Sequence, residues 1–518
     1  MHFGLVLPLA AVCGALHSLA FLRPWAWPLQ LLTLAWLAAR VAGEPPRRAA
    51  LVGLVFGTAW LVAGTWWLYI SLHRFGGLPA WLAVLAVLLL STFLSLYLAA
   101  AAAAFARWRS GYAGTDAMFF AALWMLAEIA RAVLFTGFPW IAGGYAHVDA
   151  PLAALAPWVG VYGIGFVAAA LAAWVGLHAR RGAARAGLAA LAVGAVLAGL
   201  ALAPAPRFSR ATSLLSVTLL QGNVSQDEKF SVRHLPQALA WTREQLLAAR
   251  GDLVVAPETV IPLLPSQLDP GYWRSLLDHF GGGRQAALIG LPLGDEAAGY
   301  TNSAAGISAA TVALPGGHYR YDKHHLVPFG EFIPLGFRWF TELMHIPLGD
   351  FDRGPLVAPS FEVRSASGRV ERVAANICYE DLFGEELAAR FIAPALAPTL
   401  FANISNIGWF GDTIAVDQHL QIARLRSLEF QRPTVRATNT GATVVIDHRG
   451  QVTHALAPYT QGVLDATLEA RDGLTPFAWW AARFGLAAPT LAALLIVAIS
   501  VAGSVRSARA SRDRHPGS

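Results

Sequence analysis

Long apolar runs constrain the fold of this chain more than any other sequence feature. A membrane-spanning helix needs about 20 mostly apolar residues, and eight segments are long enough, or nearly so. They lie near residues 4–21, 25–43, 50–72, 79–106, 115–137, 153–178, 186–204 and 484–505. Of the 518 residues, 56% are hydrophobic and only 14% are charged, which is too apolar for a soluble protein. We therefore predict a polytopic α-helical membrane domain with about eight transmembrane helices.

The placement of arginine predicts how these helices are oriented. Arginines are frequent in the loops after the second, fourth and sixth segments and in the tail after the eighth. The alternate loops hold Arg23 and Arg74, with no Lys or Arg from 138 to 152. Because basic loops stay in the cytoplasm, we expect a bacterial inner-membrane protein with both termini cytoplasmic. The long segment between the seventh and eighth helices is then periplasmic.

The positive charge therefore indicates topology rather than a nucleic-acid partner. The net charge is +6 at pH 7, and no stretch combines basic and aromatic residues as a nucleic-acid surface does. No coiled-coil pattern stands out, and we expect a monomer. Glu128 and Arg131 stand three residues apart in the fifth segment and share a helix face. Both a structural ion pair and a functional site are open for them.

The stretch from 211 to 470 has the composition of a soluble domain. β-like runs alternate with helical patterns at 235–250 and 414–430, which predicts an α/β layered domain. The predicted strands are 214–220, 253–256, 286–290, 373–377, 399–402, 435–438 and 443–446. We place domain boundaries at 1–210 for helices one to seven, 211–470 for the catalytic insertion, 471–505 for the last helix with its lead-in, and 506–518 for a basic tail.

Cys378 is a candidate nucleophile. It ends the apolar run 373–377, and the chain's other cysteine, Cys13, lies in the first apolar segment. Cys378 therefore has no plausible disulfide partner, and a lone thiol at a strand end is suited to nucleophilic attack. A buried structural cysteine is the alternative.

Two further residues follow predicted strands and could act with this thiol. Glu258 comes after 253–256 through Pro257, and Lys323 opens the stretch Lys323–Glu331. Strand ends are the usual place for sites in open α/β sheets. A thiolate can attack a carbonyl, a carboxylate can take and return its proton, and an ammonium can stabilise thiolate and oxyanion.

The adjacent histidines His324 and His325 do not predict a metal site. Neighbouring side chains point apart, and no acidic or Cys/His cluster completes a ligand set. We expect neither a metal nor another cofactor.

The motifs resemble those of a known family. Pro257-Glu258, Lys323–Glu331 and Asn376–Glu380 resemble the Glu-Lys-Cys motifs of the nitrilase superfamily. With the membrane plan, the resemblance narrows to the apolipoprotein N-acyltransferase family, whose pattern Lys-x-His-Leu-Val-Pro-Phe-Gly-Glu is matched at every fixed position. Further matching blocks are Gly137–Trp140, Gln221–Asn223, Asn403–Asn406, Trp409–Gly411, Gln418-His419 and Arg436–Gly441.

The resemblance implies a nitrilase-like αββα sandwich and a role for each site residue. Cys378 would carry an acyl thioester, Glu258 would be the general base and acid, and Lys323 would stabilise the tetrahedral intermediate. The supporting positions that it implies are Glu331, Tyr379 and Glu380. The acyl donor would be a phospholipid, typically phosphatidylethanolamine. The acceptor would be the N-terminal amine of an S-diacylglyceryl-cysteine apolipoprotein.

Lipid contact is expected from four residues: Asn223, Phe230, Trp339 and Trp409. Phe230 stands where the family commonly has Trp, and Ile407 replaces an acidic residue before Trp409. Trp339 lies in the apolar stretch Phe332–Phe340, which fits an arm dipping into lipid; a core helix is the alternative.

Two other functions use the same features. A membrane-tethered amidase would employ the same three residues with water as acceptor, but it needs neither an aromatic arm nor eight spans. A membrane scaffold with an inactive domain would be favoured by loss of any of Glu258, Lys323 or Cys378, and all three are present.

Overall fold

The computed structural model describes residues 3–229, 231, 233–297, 299–333 and 351–513. Apolar helices fill the first two hundred residues, and Pro at the first turn begins several of them, where its missing N–H is not needed. They are α1 Phe3–Ser18, α2 Trp27–Val41, α3 Pro46–Thr65, α4 Ala80–Trp108, α5 Ala113–Val133, α6 Ala156–Ala179 and α7 Ala183–Leu202.

The prediction of a helical membrane domain is confirmed. Within the described residues, seven helical segments are long and apolar enough to cross a membrane. They are Phe3–Phe21, Pro46–Thr65, Ala80–Trp108, Ala113–Thr136, Pro151–Ala179, Ala183–Leu202 and Ala487–Arg506. The remaining predicted segment, 25–43, forms α2, which has 15 residues and spans about 23 Å at 1.5 Å per residue. The observed number therefore agrees with about eight, with α2 shorter than the rest.

Glu128 and Arg131 form a buried pair that fastens a loop. Gly143 N donates to Glu128 Oε1 at 2.6 Å, and Arg131 Nη1 donates to Trp140 O at 2.6 Å. Glu128 Oε1 and Arg131 Nη2 lie 3.9 Å apart. Of the two interpretations left open by the sequence, these contacts favour the structural pair, because both side chains bind loop backbone.

The inserted domain contains two six-stranded sheets with mixed strand directions. Their orders are β12-β1-β2-β3-β4-β5 and β11-β10-β9-β8-β7-β6. The strands are β1 Ser209–Gln221, β2 Leu253–Val255, β3 Ala286–Asp295, β4 Gly299–Ile307, β5 Tyr319–Asp322, β6 Phe361–Arg364, β7 Val370–Ile377, β8 Leu400–Ser405, β9 Thr434–Thr438, β10 Val444–Ile446, β11 Val452–Ala455 and β12 Gly462–Gly473. Strands β1, β2 and β3 are mutually parallel, as are β7, β8 and β9, whereas the outer pairs are antiparallel.

The two sheets pack face to face, with helices on the outside. Val217 and Leu253 of one sheet share a fully buried core with Val373 and Leu400 of the other. The helices are α8 Leu235–Ala248, α9 Pro270–Gly282, α10 Gly384–Ala388, α11 Ile414–Phe430 and α12 Pro476–Phe484. Apolar side chains of α8 and α9 cover the outer face of the first sheet, and those of α10, α11 and α12 cover the second. This arrangement is the αββα sandwich that the resemblance implied.

The chain returns to apolar composition in α13, Ala487–Asp513. It divides into two compact units, one built from the apolar helices and the other from Ile70–Leu78 with Arg207–Gly485. The short segment Ile70–Leu78, between α3 and α4, therefore belongs with the sandwich. Its Arg74 pairs with Asp227 at 2.5 Å on the sandwich surface.

Candidate active site

The parallel strands of both sheets deliver polar side chains to one end of the sandwich. Glu258 follows β2, Cys378 follows β7, and Asn406 follows β8. Asn406 N donates to Glu258 Oε2 at 2.8 Å, which joins the strand ends of the two sheets. These candidate residues therefore lie at the carboxyl ends of the parallel strands, the usual place for sites in α/β sheets.

Glu258 is a buried carboxylate held by three donors. Its Oε1 accepts from Asn302 Nδ2 at 2.7 Å and from Lys323 Nζ at 3.3 Å, while Oε2 accepts from Asn406. Gly290 of β3 permits this placement, because a Cβ there would lie 2.7 Å from the Glu258 Cα. Burial alone would raise the pKa of Glu258, but Lys323, Asn302 and the other donors outweigh it and lower the pKa below its usual range. The carboxylate is therefore ionised at neutral pH.

Lys323 lies between two carboxylates. It is 1% exposed, and its Nζ donates to Glu331 Oε1 at 2.9 Å as well as to Glu258. Its backbone N donates to Asn302 O at 2.9 Å, which fixes it at the end of β5. Burial would lower the pKa of Lys323, but Glu331 and Glu258 raise it well above its ordinary value. Lys323 is therefore a permanent cation in this site.

Cys378 occupies a tight turn between β7 and the 3₁₀ helix Cys378–Leu382. Its φ of 52° lies in the left-handed region, which costs energy for a residue with a side chain. Burial, with the nearby Glu258, Glu331 and Asp381 carboxylates, raises the pKa of the Cys378 thiol to about 12, and Lys323 opposes this. Cys378 is therefore a protonated thiol at rest, acted on by the ionised carboxylate of Glu258.

A buried hydrogen-bond network of His419, Asp381 and Arg436 contacts the turn at Cys378. His419 Nε2 lies 2.8 Å from Asp381 Oδ1 and 3.2 Å from the Cys378 carbonyl oxygen. Arg436 contacts both His419 and Asp381. Its Nη2 donates to His419 Nδ1 at 2.6 Å, and its Nη1 donates to Asp381 Oδ2 at 2.8 Å. Because a guanidinium only donates, Nδ1 of His419 accepts and Nε2 carries the proton. Burial and Arg436 lower the pKa of His419, so the neutral ring donates towards the turn.

Glu380 links the nucleophile turn to the lysine loop. Its Oε2 accepts from Ile377 N at 2.6 Å and from Tyr321 OH at 2.7 Å. Its Oε1 accepts from His324 N at 2.7 Å and from His325 N at 3.2 Å. Glu331 similarly closes its own loop, since its Oε2 accepts from Val327 N at 2.8 Å. These two acids therefore hold the site's backbone in place.

The remaining predicted residues sit in different surroundings. Tyr379 is buried and packs edge-on against Phe383, with ring centroids 5.3 Å apart. Trp409 packs edge-on against Phe75 at 5.4 Å. Asn223 has a φ of 49°, and its Nδ2 donates to Tyr459 O at 3.0 Å, so its amide braces a loop.

Phe230 and Trp339 lie outside the described residues, as does most of the stretch Phe332–Phe340. The two adjacent histidines are engaged separately, His324 with Gly354 O and His325 with Glu386. Over the described ranges, no group of three or more His, Cys, Asp or Glu side chains could hold a metal ion.

Three site residues were missed by sequence reasoning. Asn302 Nδ2 bridges Glu258 and Glu331, at 2.7 and 2.6 Å, from the middle of β4, where no spacing signal marked it. Asn406 was noted only as part of a block. Lys229, which precedes Phe230, carried no signal of its own, yet its Nζ donates to the Glu258 carbonyl oxygen at 3.1 Å.

Known proteins match both parts of the chain. The model of the apolipoprotein N-acyltransferase N-terminal domain matches residues 13–174, and that of carbon-nitrogen hydrolase matches 217–472. An apolipoprotein N-acyltransferase of Verminephrobacter eiseniae is 53% identical, and the match covers 93% of each chain. One of Ralstonia nicotianae is 44% identical, and the match covers 97% of this chain and 94% of the relative.

Proposed function

Because the chain belongs to the apolipoprotein N-acyltransferase family, we propose that Cys378 carries an acyl chain from a phospholipid to the N-terminal amine of an S-diacylglyceryl-cysteine apolipoprotein. The membership makes the protein an N-acyltransferase, and the apolar helices make it a multi-pass membrane protein. Donor, thioester and two-step order are our assignments. The donor that we assign is phosphatidylethanolamine, and the proposed cycle uses no cofactor.

In the first half-reaction, Glu258 takes the proton of the Cys378 thiol as Sγ attacks the ester carbonyl carbon. Lys323 stabilises the oxyanion of the tetrahedral intermediate. The carbon–oxygen bond to glycerol then breaks, and Glu258 returns the proton to the glycerol oxygen. The products are lysophospholipid and a thioester on Cys378.

In the second half-reaction, the neutral α-amine of the apolipoprotein attacks the thioester carbon. Glu258 takes a proton from the amine, the carbon–sulfur bond breaks, and the proton returns to Sγ. The products are an N-acyl apolipoprotein and the free thiol, so the cycle closes with atoms and charge balanced.

One observation carries this assignment: an ionised, buried carboxylate and a buried ammonium both act electrostatically on one thiol. Glu258 Oε1 lies 3.3 Å from Lys323 Nζ. Glu258 raises the pKa of Cys378, and Lys323 lowers it. A thiol whose pKa is about 12 is not a nucleophile unless a base takes its proton during attack. Glu258, kept ionised by Lys323, supplies that base.

An amidase would use the same residues with water as acceptor. The seven long apolar helices favour the transferase, because both of its substrates are lipid-anchored and a small-amide hydrolase gains nothing from them. We assign the sandwich to the periplasmic side and both termini to the cytoplasm, on the arginine pattern. We further propose that the protein acts as a monomer, and that Trp409, with Asn223, Phe230 and Trp339, contacts lipid.

Complete transfer in a purified system tests the function. The protein is mixed with phosphatidylethanolamine and a synthetic S-diacylglyceryl-cysteine peptide, and products are quantified by mass spectrometry. We expect N-acylated peptide and lysophospholipid in equal amounts, and neither with Cys378→Ala. Free fatty acid without N-acylated peptide would instead establish the hydrolase.

A further inference from the structure

Lysine is almost absent from this chain, and its two occurrences are in one place. Of 38 basic residues, 36 are arginine, and the two lysines are Lys229 and Lys323. Both are buried, at 6% and 1% exposure, and both contact Glu258. In a chain that uses arginine at every other basic position, an ammonium at residue 229 indicates a specific requirement. The mechanism above uses Lys323 and leaves Lys229 without a role.

Lys229 is held against the general base by a fixed loop. Its Nζ donates to the Glu258 carbonyl oxygen at 3.1 Å, and its backbone N donates to Ser225 O at 2.9 Å. The same loop is fastened by Asn406 Nδ2, which donates to Gln226 Oε1 at 2.8 Å. Asn406 also binds the carboxylate of Glu258, so loop and base share one partner.

The ammonium has hydrogen-bonding capacity left over. Nζ carries three N–H donors, and the Glu258 carbonyl is its one hydrogen-bond partner among the residues that the structure describes. Unpaired donors on a buried cation are costly unless a ligand takes them. As far as the described residues go, two donors of Lys229 are thus left for an oxygen-bearing substrate.

The formal charges of the site also call for this cation. Glu258 and Glu331 both contact Lys323, which leaves one excess negative charge in the trio. Lys229 beside Glu258 brings the sum to zero. Without it, forming a thiolate or an oxyanion here would add negative charge to a buried site that is already negative.

We propose that Lys229 is a fourth catalytic residue, whose ammonium binds the glycerol ester oxygen of the acyl donor as it becomes the leaving group. The assignment rests on the proposed thioester chemistry. Glu258 delivers the proton to that oxygen, so a cation fixed on the Glu258 backbone lies beside the leaving group. Lys229 keeps its own proton throughout: the proton of Sγ passes to Glu258 and then to glycerol. The incoming amine later takes the same position, where a neighbouring cation favours its neutral form.

Protonation of Lys229 gives this role a distinct pH signature. Burial lowers the pKa of Lys229 to about 8, while Glu258 and Cys378 favour its charged form. Those neighbours titrate elsewhere, Glu258 below its usual range and Cys378 near 12, and Lys323 stays charged. Acyl-enzyme formation should therefore decline above about pH 8 as Lys229 loses its proton.

Single-turnover acylation tests the proposal. Purified full-length wild type, Lys229→Met and Lys229→Arg are mixed with phosphatidylethanolamine, and the acyl-enzyme is followed by intact mass from pH 6 to about 9.5. Lys229→Met should be slower by about 100-fold, the usual loss for one transition-state donor, and should lack the decline above pH 8. Lys229→Arg should recover part of the rate, to within about tenfold of wild type, and remain flat to higher pH. Arg243→Met, which removes an exposed cation on α8, serves as the control, and its acylation rate and pH dependence should match those of wild type.

Alkylation of Cys378 by iodoacetamide separates catalysis from folding, since this reagent has no ester oxygen to bind. Lys229→Met should lose far less alkylation rate than acylation rate. Equal loss of both, with a lowered melting temperature and no rescue by arginine, would make Lys229 structural and overturn the proposal. An acylation rate in Lys229→Met equal to that of wild type would also overturn the proposal. If wild type itself forms no acyl-enzyme, the proposed function fails and this role with it.

Discussion

At the residue scale, the resting state of Cys378 is set by opposing charges around a half-buried thiol. Burial and three carboxylates favour the protonated thiol, whereas Lys323 favours the thiolate. Lys323 at the same time lowers the pKa of Glu258. In the proposed cycle, this one cation therefore keeps the base Glu258 ionised and stabilises the developing anion.

Removing that cation should change the pH dependence as well as the rate. In wild type, the lowered pKa of Glu258 keeps the base ionised until the pH falls below its ordinary value of 4.5. Lys323→Met removes the strongest of the effects that lower this pKa, so protonation of Glu258 should begin at higher pH. We expect acylation at least about 100-fold slower, with its acid limb displaced upward. Arg320→Met, an exposed cation on the same strand, should change neither quantity. An acid limb that stays in place would contradict the coupling of Lys323 to Glu258.

Asn302 should matter because one amide nitrogen serves two carboxylates. Asn302→Leu keeps similar volume but removes the donor shared by Glu258 and Glu331. We expect acylation to fall by about 10-fold to 100-fold and the pKa of Glu258 to rise. The neighbouring Ser303→Ala, which changes a hydroxyl bound to Asp322, serves as control. Wild-type acylation in Asn302→Leu would show that Lys323 and Asn406 hold Glu258 in place without Asn302.

At the element scale, the site depends on turns that follow parallel strands. The turn after β7 is held in a left-handed conformation at Cys378. Glu380 binds this turn to the loop that carries Lys323, through four hydrogen bonds. The distance between nucleophile and cation therefore depends on one buried carboxylate.

Glu380→Gln should destabilise the sandwich. All four partners of Glu380 donate, so an amide nitrogen placed there meets donors and leaves at least one buried group unpaired. The expected cost is about 2–3 kcal/mol, which lowers the melting temperature by several degrees for a domain of this size. Tryptophan fluorescence during a thermal ramp measures it, with the exposed Glu362→Gln as control. An unchanged transition would mean that the turn is held without Glu380.

The sequence predicted the elements that carry apolar runs and missed those that do not. Strands β2, β7 and β8 are buried and mostly apolar, and their apolar runs identify them together with the residues that follow; β9 is also buried but contains Arg436. Strands β4, β5 and β12 carry polar residues such as Asn302, Asp322 and Asp465, so no continuous apolar run marks them. The sequence pattern therefore gave no signal for Asn302. The signal for Lys229 was present in the composition, as one of two lysines.

At the scale of the whole molecule, one chain combines apolar helices with an αββα sandwich. The two parts are not consecutive, because Ile70–Leu78 belongs to the sandwich unit while lying between two apolar helices. Sequence periodicity cannot reveal that this segment belongs to the sandwich unit, since the segment is short and lies between two apolar helices. The arginine pattern predicts which side of the membrane each part faces.

Single-cysteine labelling tests that orientation. In a background with Cys13→Ser and Cys378→Ala, Arg210→Cys marks an exposed position of the sandwich, with 85% of its side chain accessible, and Ser511→Cys marks the C-terminal tail. A membrane-impermeant maleimide should label the Arg210→Cys protein in intact spheroplasts, and the Ser511→Cys protein only after lysis. The reverse pattern would invert the assigned topology.

The most direct test of the central claim is the mass of the enzyme after incubation with phosphatidylethanolamine and no acceptor. We predict a gain of one acyl chain, released by hydroxylamine and absent from Cys378→Ala. An unchanged mass with the lipid intact would contradict a phospholipid-derived thioester on Cys378.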